Sequence, residues 1–387
     1  MTRLLLLLAP ALLAAADIHD ALAPVVPNFS PGAKYADNTR QFQGIPGIER
    51  ARNGRLWAVW YAGGPDEPTE GPGNYVVVVN SKDDGRTWSA PLFVIDPPGD
   101  VRAYDPTLWH DPQGRLWLFW AQSSGNWDGR SGVWSMHTDK SGDANPRWSA
   151  PRRLCDGIMM NKPIARKNGD WLFPVSVWAQ KPGANTRSEH RRDLGALVGA
   201  NAFLSRDRGQ TLAPLGQTRA VDSIFDEHSI VERRDGSLWM LLRTKSGIAE
   251  SVSTDNGKTW TPAQPSPIPH VNSRFFIKRL KSGSFLLVRH NPPNGKTRSH
   301  LTAYLSGDEG KTWSGGMMVD ERVGVSYPDG VQDPKGVIRI IYDFERTRAR
   351  QILMAEFTED DVRRGTPSAK ARLRVQVNQA SGPRTKK

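Results

Sequence analysis

The sequence predicts an all-β fold, a single six-bladed β-propeller, on three observations. A short turn motif recurs four times, a glycine turn followed by an apolar strand recurs six times, and the chain is rich in turn formers. With 36 Gly and 29 Pro among 387 residues it is a poor candidate for a helical bundle, while 14 Trp and 12 Phe supply enough apolar volume for a core and argue against disorder. The length would otherwise suit two or three ordinary domains, but a closed ring of repeats accounts for it as one.

In chain order, the N-terminus MTRLLLLLAPALLAAADIHD has a basic residue, an apolar run too short for a permanent anchor, and small residues before Asp17. Residues 1–16 are therefore expected to be a signal peptide, with the mature protein secreted or periplasmic and no later membrane span. Asp17 to Arg40 are expected to close the ring by supplying a strand to the last blade. The propeller is expected over residues 17–366. Its glycine turns are NGRLWAVW at Gly54, QGRLWLFW at Gly114, NGDWLFPV at Gly169, DGSLWMLL at Gly236, SGSFLLVR at Gly283 and KGVIRIIY at Gly336. Their spacings of 60, 55, 67, 47 and 53 residues each fit one four-stranded blade, and the continuous apolar runs read as strands buried on both faces.

The shorter motif reads SKDDGRTW at Ser81–Trp88, STDNGKTW at Ser253–Trp260, SGDEGKTW at Ser306–Trp313 and, worn, SRDRGQTL at Ser205–Leu212. These are Asp-box turns: the carboxylate holds turn groups, Gly takes positive φ, and Trp covers the blade. Their role is structural.

Charge and cysteine content exclude several functions. Of the formal +12, the segment 367–387 carries six cations and no acid, leaving 12 − 6 = +6 for the remainder. It reads as a basic, solvated C-terminal tail, so no nucleic-acid partner is implied. A lone Cys155 excludes an intrachain disulfide and cysteine-based metal centres. His110, His228, His290 and His300 lack metal-ligand spacing, and no nucleotide-binding motif is present, so neither metal nor cofactor is expected.

The repeat register locates a site. Nine residues before the six glycines stand Ile45, Asp105, Met160, Glu227, Arg274 and Tyr327, where each innermost strand begins near the axis. Four of the six are polar or ionisable at the head of apolar strands, and buried charge is costly unless paired or used.

These residues and motifs resemble the sialidase (neuraminidase) superfamily over essentially the whole mature chain. The resemblance implies a tyrosine nucleophile, a glutamate that takes its proton, a separate acid for the leaving oxygen, and three arginines that grip the substrate carboxylate. FDEHSIVERRDGSLWMLLR resembles the segment carrying that glutamate and one arginine, here Glu227 and Arg243. RSHLTAYLSGDEGKTW points to Arg298, and VSYPDGVQDPKGVIRIIYD to Tyr327 as nucleophile. A neutral phenol approaches an anionic sugar without the repulsion that a carboxylate nucleophile would meet. The chain departs from the family twice. Its Arg-Ile-Pro opening is Gly44-Ile45-Pro46 here, with Arg274 or Lys162 as replacements for the missing arginine. The family's acid, an aspartate, lies on the loop before the first Asp-box, which here reads GGPDEPTEGPGNYVVVVNS; the resemblance implies Glu70 in its place, with Asp66 and Glu67 as competitors.

The resemblance implies an exported, monomeric exo-sialidase-like hydrolase acting on an acidic sugar or sialylated glycan, with Asp105 beside the substrate-binding arginines. A hydrolase or lyase on another acidic, uronate-bearing glycan is the alternative, and a non-catalytic carbohydrate-binding propeller a third.

Overall fold

The computed structural model describes residues 21–125, 127, 129–179 and 193–383. The expected signal peptide, 1–16, lies outside them. Six antiparallel four-stranded sheets follow one another. The first holds β1 (Phe42–Arg50), β2 (Leu56–Gly63), β3 (Tyr75–Ser81) and β4 (Phe93–Ile95), and the second β5 (Val101–His110), β6 (Leu116–Ser124), β7 (Gly132–Thr138) and β8 (Arg152–Asp156). The third runs β9 (Ile164–Ala165), β10 (Trp171–Val177), β11 (Gly199–Ser205), β12 (Ala213–Thr218), and the fourth β13 (Ser223–Glu232), β14 (Leu238–Thr244), β15 (Ile248–Ser253), β16 (Gln264–Pro265). The fifth is β17 (Phe276–Arg279), β18 (Phe285–His290), β19 (Leu301–Ser306), β20 (Ser314–Asp320), and the sixth β21 (Val325–Gln332), β22 (Ile338–Phe344), β23 (Gln351–Phe357), β24 (Arg372–Gln379). The six glycine turns join first strand to second in each blade, and every residue of β2, β6, β10, β14 and β18 is buried.

The repeats explain the packing. Trp57, Trp117, Trp171 and Trp239 stand two or three residues after their turn glycines and are at most 2% exposed. Truncating such a side chain to Ala costs about 3–5 kcal/mol. The Asp-boxes lie between third and fourth strands. In the first, Asp83 accepts from Thr87 N (2.9 Å), Thr87 Oγ1 (2.6 Å) and Ser81 Oγ (2.8 Å), while Ser81 Oγ accepts from Gly85 N. The same bonds recur around Asp207, Asp255 and Asp308. At Gly310 both φ (+88°) and space require glycine, because a Cβ would meet the Trp239 ring at 2.5 Å.

Two expectations about the ends are corrected. Residues 372–379 are no solvated tail: they form β24, the outer strand of the sixth blade, paired with β23. Its basic residues alternate with apolar Leu373, Val375 and Val377, which pack inward, while Arg372 pairs with Glu356 and Arg374 with Glu321. Among its described residues, 21–40, the segment Asp17–Arg40 supplies no strand to that blade. Within the described part of this segment, Asn28 instead bridges Val94 of β4. The ring closes by β1 packing on β21 and β22. A clasp around the end of the last blade secures it: Arg40 donates to Asn378 (2.7 Å), Ser381 N to Asp37 O (2.7 Å) and Gly382 N to Arg40 O (3.0 Å).

Candidate active site

The inner strands share a local device that builds the site. Their registers jump between Gly44 and Gly47, Tyr104 and Thr107, Asp226 and Ser229, and Ser326 and Asp329. Within each jump one residue of the repeat register takes positive φ: Ile45 (56°), Asp105 (47°), Glu227 (40°) and Tyr327 (55°). Three of these precede Pro46, Pro106 and Pro328, which cannot donate to the ladder, so the chain bulges and re-aims the side chain. Non-glycine residues held there cost on the order of 1–3 kcal/mol each, a strain characteristic of functional positions.

All four line one cavity of about 440 Å³, together with Met160, Glu70, Arg102 and Tyr104. Tyr327 Oη donates to Glu227 Oε1 at 3.0 Å, and Arg243 Nη1 donates to both, at 2.9 Å to the phenol and 2.5 Å to the carboxylate. Glu227 Oε2 is buried with no hydrogen-bond partner among the described residues. Burial opposes ionisation of Glu227, but the Arg243 guanidinium outweighs it and holds the carboxyl below its ordinary range. Burial, reinforced by the charge of Glu227, pushes the Tyr327 phenol up to about 12. An ionised acceptor thus faces a phenol that will not ionise by itself at neutral pH, which is the arrangement needed for proton removal during attack.

Arg298 is held by Asn272 O (3.2 and 3.0 Å) with its guanidinium carbon 5.4 Å from the Tyr327 ring centre. Arg243 Nε also reaches Asn272, at Oδ1 (2.8 Å), so one residue orients both arginines. Asp105, 4% exposed, has its pKa raised to about 7 by burial, against the pull of Arg102. Of the three loop carboxylates only Glu70 lines the cavity. Asp66 is exposed, and Glu67 accepts from Gly73 N (3.1 Å). A wall of aromatic rings, Trp127, Trp178 and Phe225, stands across the cavity, with Trp178 and Phe225 centred 4.9 Å apart.

Two expected substrate-binding residues lie elsewhere. Arg274 is 1% exposed, its Nε donating to Asn161 Oδ1 (2.7 Å) and its Nη2 3.7 Å from Asp329; like Arg243 and Arg298 it stands behind the cavity lining, but unlike them it is not placed against Tyr327. Position 274 precedes Phe275 without a bulge, so the register argument fails there. Lys162 spends its ammonium on Ile48 O, Leu108 O, Glu49 and Asp329, all within 3.0 Å. It lines a second cavity of about 350 Å³, farther along the same inner strands. Neither takes the place of the arginine missing at Gly44. The residue that sequence reasoning missed is Arg346, in the β22–β23 turn, whose guanidinium carbon lies 4.8 Å from the Tyr327 ring centre and whose Nη1 pairs with Glu70. Its only sequence trace is the bare Gly44 it packs against. Among the described residues no cluster of His, Cys, Asp or Glu suits a metal ion, and no helix is long and apolar enough to cross a membrane.

Six blades, Asp-box turns and a Tyr–Glu–Arg cluster at the axis define a propeller of the sialidase class. The chain belongs to the BNR repeat-like domain family, which matches residues 54–340. It is 26% identical over 351 residues to a sialidase of Bacteroides fragilis (strain YCH46), covering 81% of this chain and 62% of that protein, so it spans less than two thirds of this relative's length. Its fold is similar to a Hadza microbial sialidase (TM-score 0.63, 18% identity, 80% of this chain and 65% of the other). It is likewise similar to the intramolecular trans-sialidase of Ruminococcus gnavus (0.62, 15%, 87% and 99%), whose structure holds oseltamivir carboxylate.

Proposed function

We propose that the protein is an exported glycoside hydrolase of the exo-sialidase type, releasing a terminal sialic (nonulosonic) acid with net retention. The observation that carries this reading is the Tyr327–Glu227–Arg243 cluster, with phenol and carboxylate 3.0 Å apart at the cavity wall. Tyr327 Oη attacks the anomeric carbon as the bond to the aglycone oxygen breaks, Glu227 accepts the phenol proton, and Glu70 gives its proton to the departing oxygen. Water then attacks the same carbon. Glu70 takes the water's proton, the carbon–tyrosyl bond breaks, and Glu227 returns the phenol proton, so every group is restored. Arg243 steadies the negative charge that builds on the phenolic oxygen, and the aromatic wall suits the apolar face of a sugar ring.

A second reading, a hydrolase or lyase for a uronate-bearing glycan, is favoured by one observation, Gly44 in place of the first arginine. A fluorogenic sialoside and a panel of aryl uronides, assayed with the protein lacking residues 1–16, separate the two. Release of fluorophore from the sialoside is expected. Turnover of uronides alone replaces the first reading with the second, and turnover of neither refutes both.

A further inference from the structure

Arg346 is built into the site rather than fallen against it. Its carbonyl accepts from Gln43 N (3.2 Å), its Nε lies 3.7 Å from Asp343 Oδ2, and its Nη1 pairs with Glu70. Asp343 is itself fixed by Ser326 Oγ (2.6 Å) and Ile45 N (2.8 Å), so the pair is tied to the strand that carries Tyr327 and to the bulge at Ile45. The turn before Arg346 is constrained as well, with Glu345 at φ 46° and its N–H on Gly324 O (3.0 Å). The side chain is 18% exposed, and its guanidinium and that of Arg298 both lie near the Tyr327 ring.

The space for it comes from Gly44. That glycine does not adopt positive φ, so conformation does not demand it. A Cβ there, however, would stand 2.2 Å from Arg346 Cδ and 2.5 Å from its Cγ. Bare backbone in blade one and an inward arginine in blade six are therefore a single feature of the packing.

We propose that Arg346 supplies a third cation to the anion-binding face around Tyr327, through the space left by Gly44, and that Glu70 is the anion it holds when the site is empty. The inference rests on the acidic-sugar reading above and deepens it: the ligand's carboxylate displaces Glu70 from Arg346. Glu70 has a 48% exposed side chain and, once released from Arg346, is free to turn toward the departing oxygen and take up the proton it delivers there, whereas Asp343 is fully buried and stays. With the acids ionised, Arg243, Arg298 and Arg346 are balanced by Glu227, Asp343 and Glu70. Departure of Glu70 leaves one positive charge, which a planar carboxylate with two acceptor oxygens answers through the guanidinium fork.

The test is titration calorimetry with 2-deoxy-2,3-didehydro-N-acetylneuraminic acid and its C1 methyl ester, which differ at the charge. Wild-type protein is expected to prefer the acid. Arg346→Gln should weaken the acid by about 10–100-fold and leave the ester nearly unchanged, with Arg346→Lys in between. Gly44→Ala should lose acid preference similarly, by pushing the arginine stem aside, and Glu70→Gln should bind the acid several-fold more tightly. Melting temperatures near wild type for Arg346→Gln and Arg346→Lys establish that the comparison is between folded proteins. Retained acid preference in Arg346→Gln overturns the role of Arg346, and unchanged acid affinity in Glu70→Gln overturns the displacement. Wild-type protein that binds neither compound refutes the parent reading, and this inference with it.

Discussion

Replacing Glu227 by Gln tests the proton step with a magnitude that the site itself supplies. The Tyr327 phenol, at about 12, lies some five units above neutral pH, so free phenoxide at pH 7 is populated to only about one part in 10⁵, a cost of roughly 7 kcal/mol. In the proposed mechanism Glu227 avoids that cost by taking the proton as the bond to carbon forms. General-base catalysis of this kind is worth about 10²–10⁴, so kcat of Glu227→Gln at pH 7 should fall by that factor. Gln retains an acceptor oxygen for the phenol, so the loss reports basicity rather than positioning. The residual rate then depends on phenoxide formed by titration, and should rise about tenfold per pH unit between pH 6 and 9. Loss of the Glu227 charge lowers the phenol's pKa and shifts this limb to lower pH, because that carboxylate is one of the causes that raise it. An activated aryl sialoside is the substrate to use, since its leaving group needs no proton and the acid role of Glu70 drops out of the step in which Tyr327 attacks. Unimpaired kcat, or a residual rate flat in pH, would refute the assignment of base and nucleophile together. Activity in Tyr327→Phe would do the same by a shorter route.

Two further outcomes are expected. The Asp105 carboxyl titrates at about 7 in the folded protein against an ordinary 3.8, so the native state keeps a proton that the unfolded chain releases, and this group's contribution falls as pH rises from about 4 to 7 and is level above. The roughly three-unit gap sets an upper bound of about 4 kcal/mol, and urea unfolding at pH 4, 5.5 and 7 should show Asp105→Asn losing less stability over that window than wild type; parallel curves would dismiss the shifted carboxyl. Truncation after residue 366 removes β24 and leaves the edge of β23 and the apolar faces of Leu353 and Met354 uncovered, so the shortened protein should melt lower and aggregate, with wild-type melting as the contrary result.

Much of the architecture is legible because each blade needs a tight turn between its first two strands, and a glycine turn followed by a doubly buried strand leaves a mark that recurs. Ile45, Asp105, Glu227 and Tyr327 reach the cavity because the register positions coincide with bulges, and three carry a visible cause in the proline that follows. Arg274 occupies the same register without that cause, and its side chain is buried against Asn161 and Asp329 instead. Counting charge hid the strand at 372–379, where the alternation of basic and apolar residues was the better guide. Arg346 escaped because it is far from Gly44 in sequence, and only the third dimension shows that a missing side chain and an inward one fill the same volume. Lys162 misled for the opposite reason: a cation near the axis has its donors consumed by strand carbonyls and buried acids before any ligand arrives.

The bulged inner strands carry an implication for how such a ring changes its chemistry. Each supplies a socket whose backbone detour is set by strand register and, in three blades, by a proline, not by the identity of the residue presented. An isoleucine, an aspartate, a glutamate and a tyrosine occupy equivalent sockets with nearly the same φ. Exchange of one residue there alters what the cavity offers while the ladder on either side and the next blade remain as they were. The blade that presents Arg274 is the less adaptable member of the ring, because without the detour its register position stays out of the cavity, and a new function there needs a change of backbone as well as of side chain.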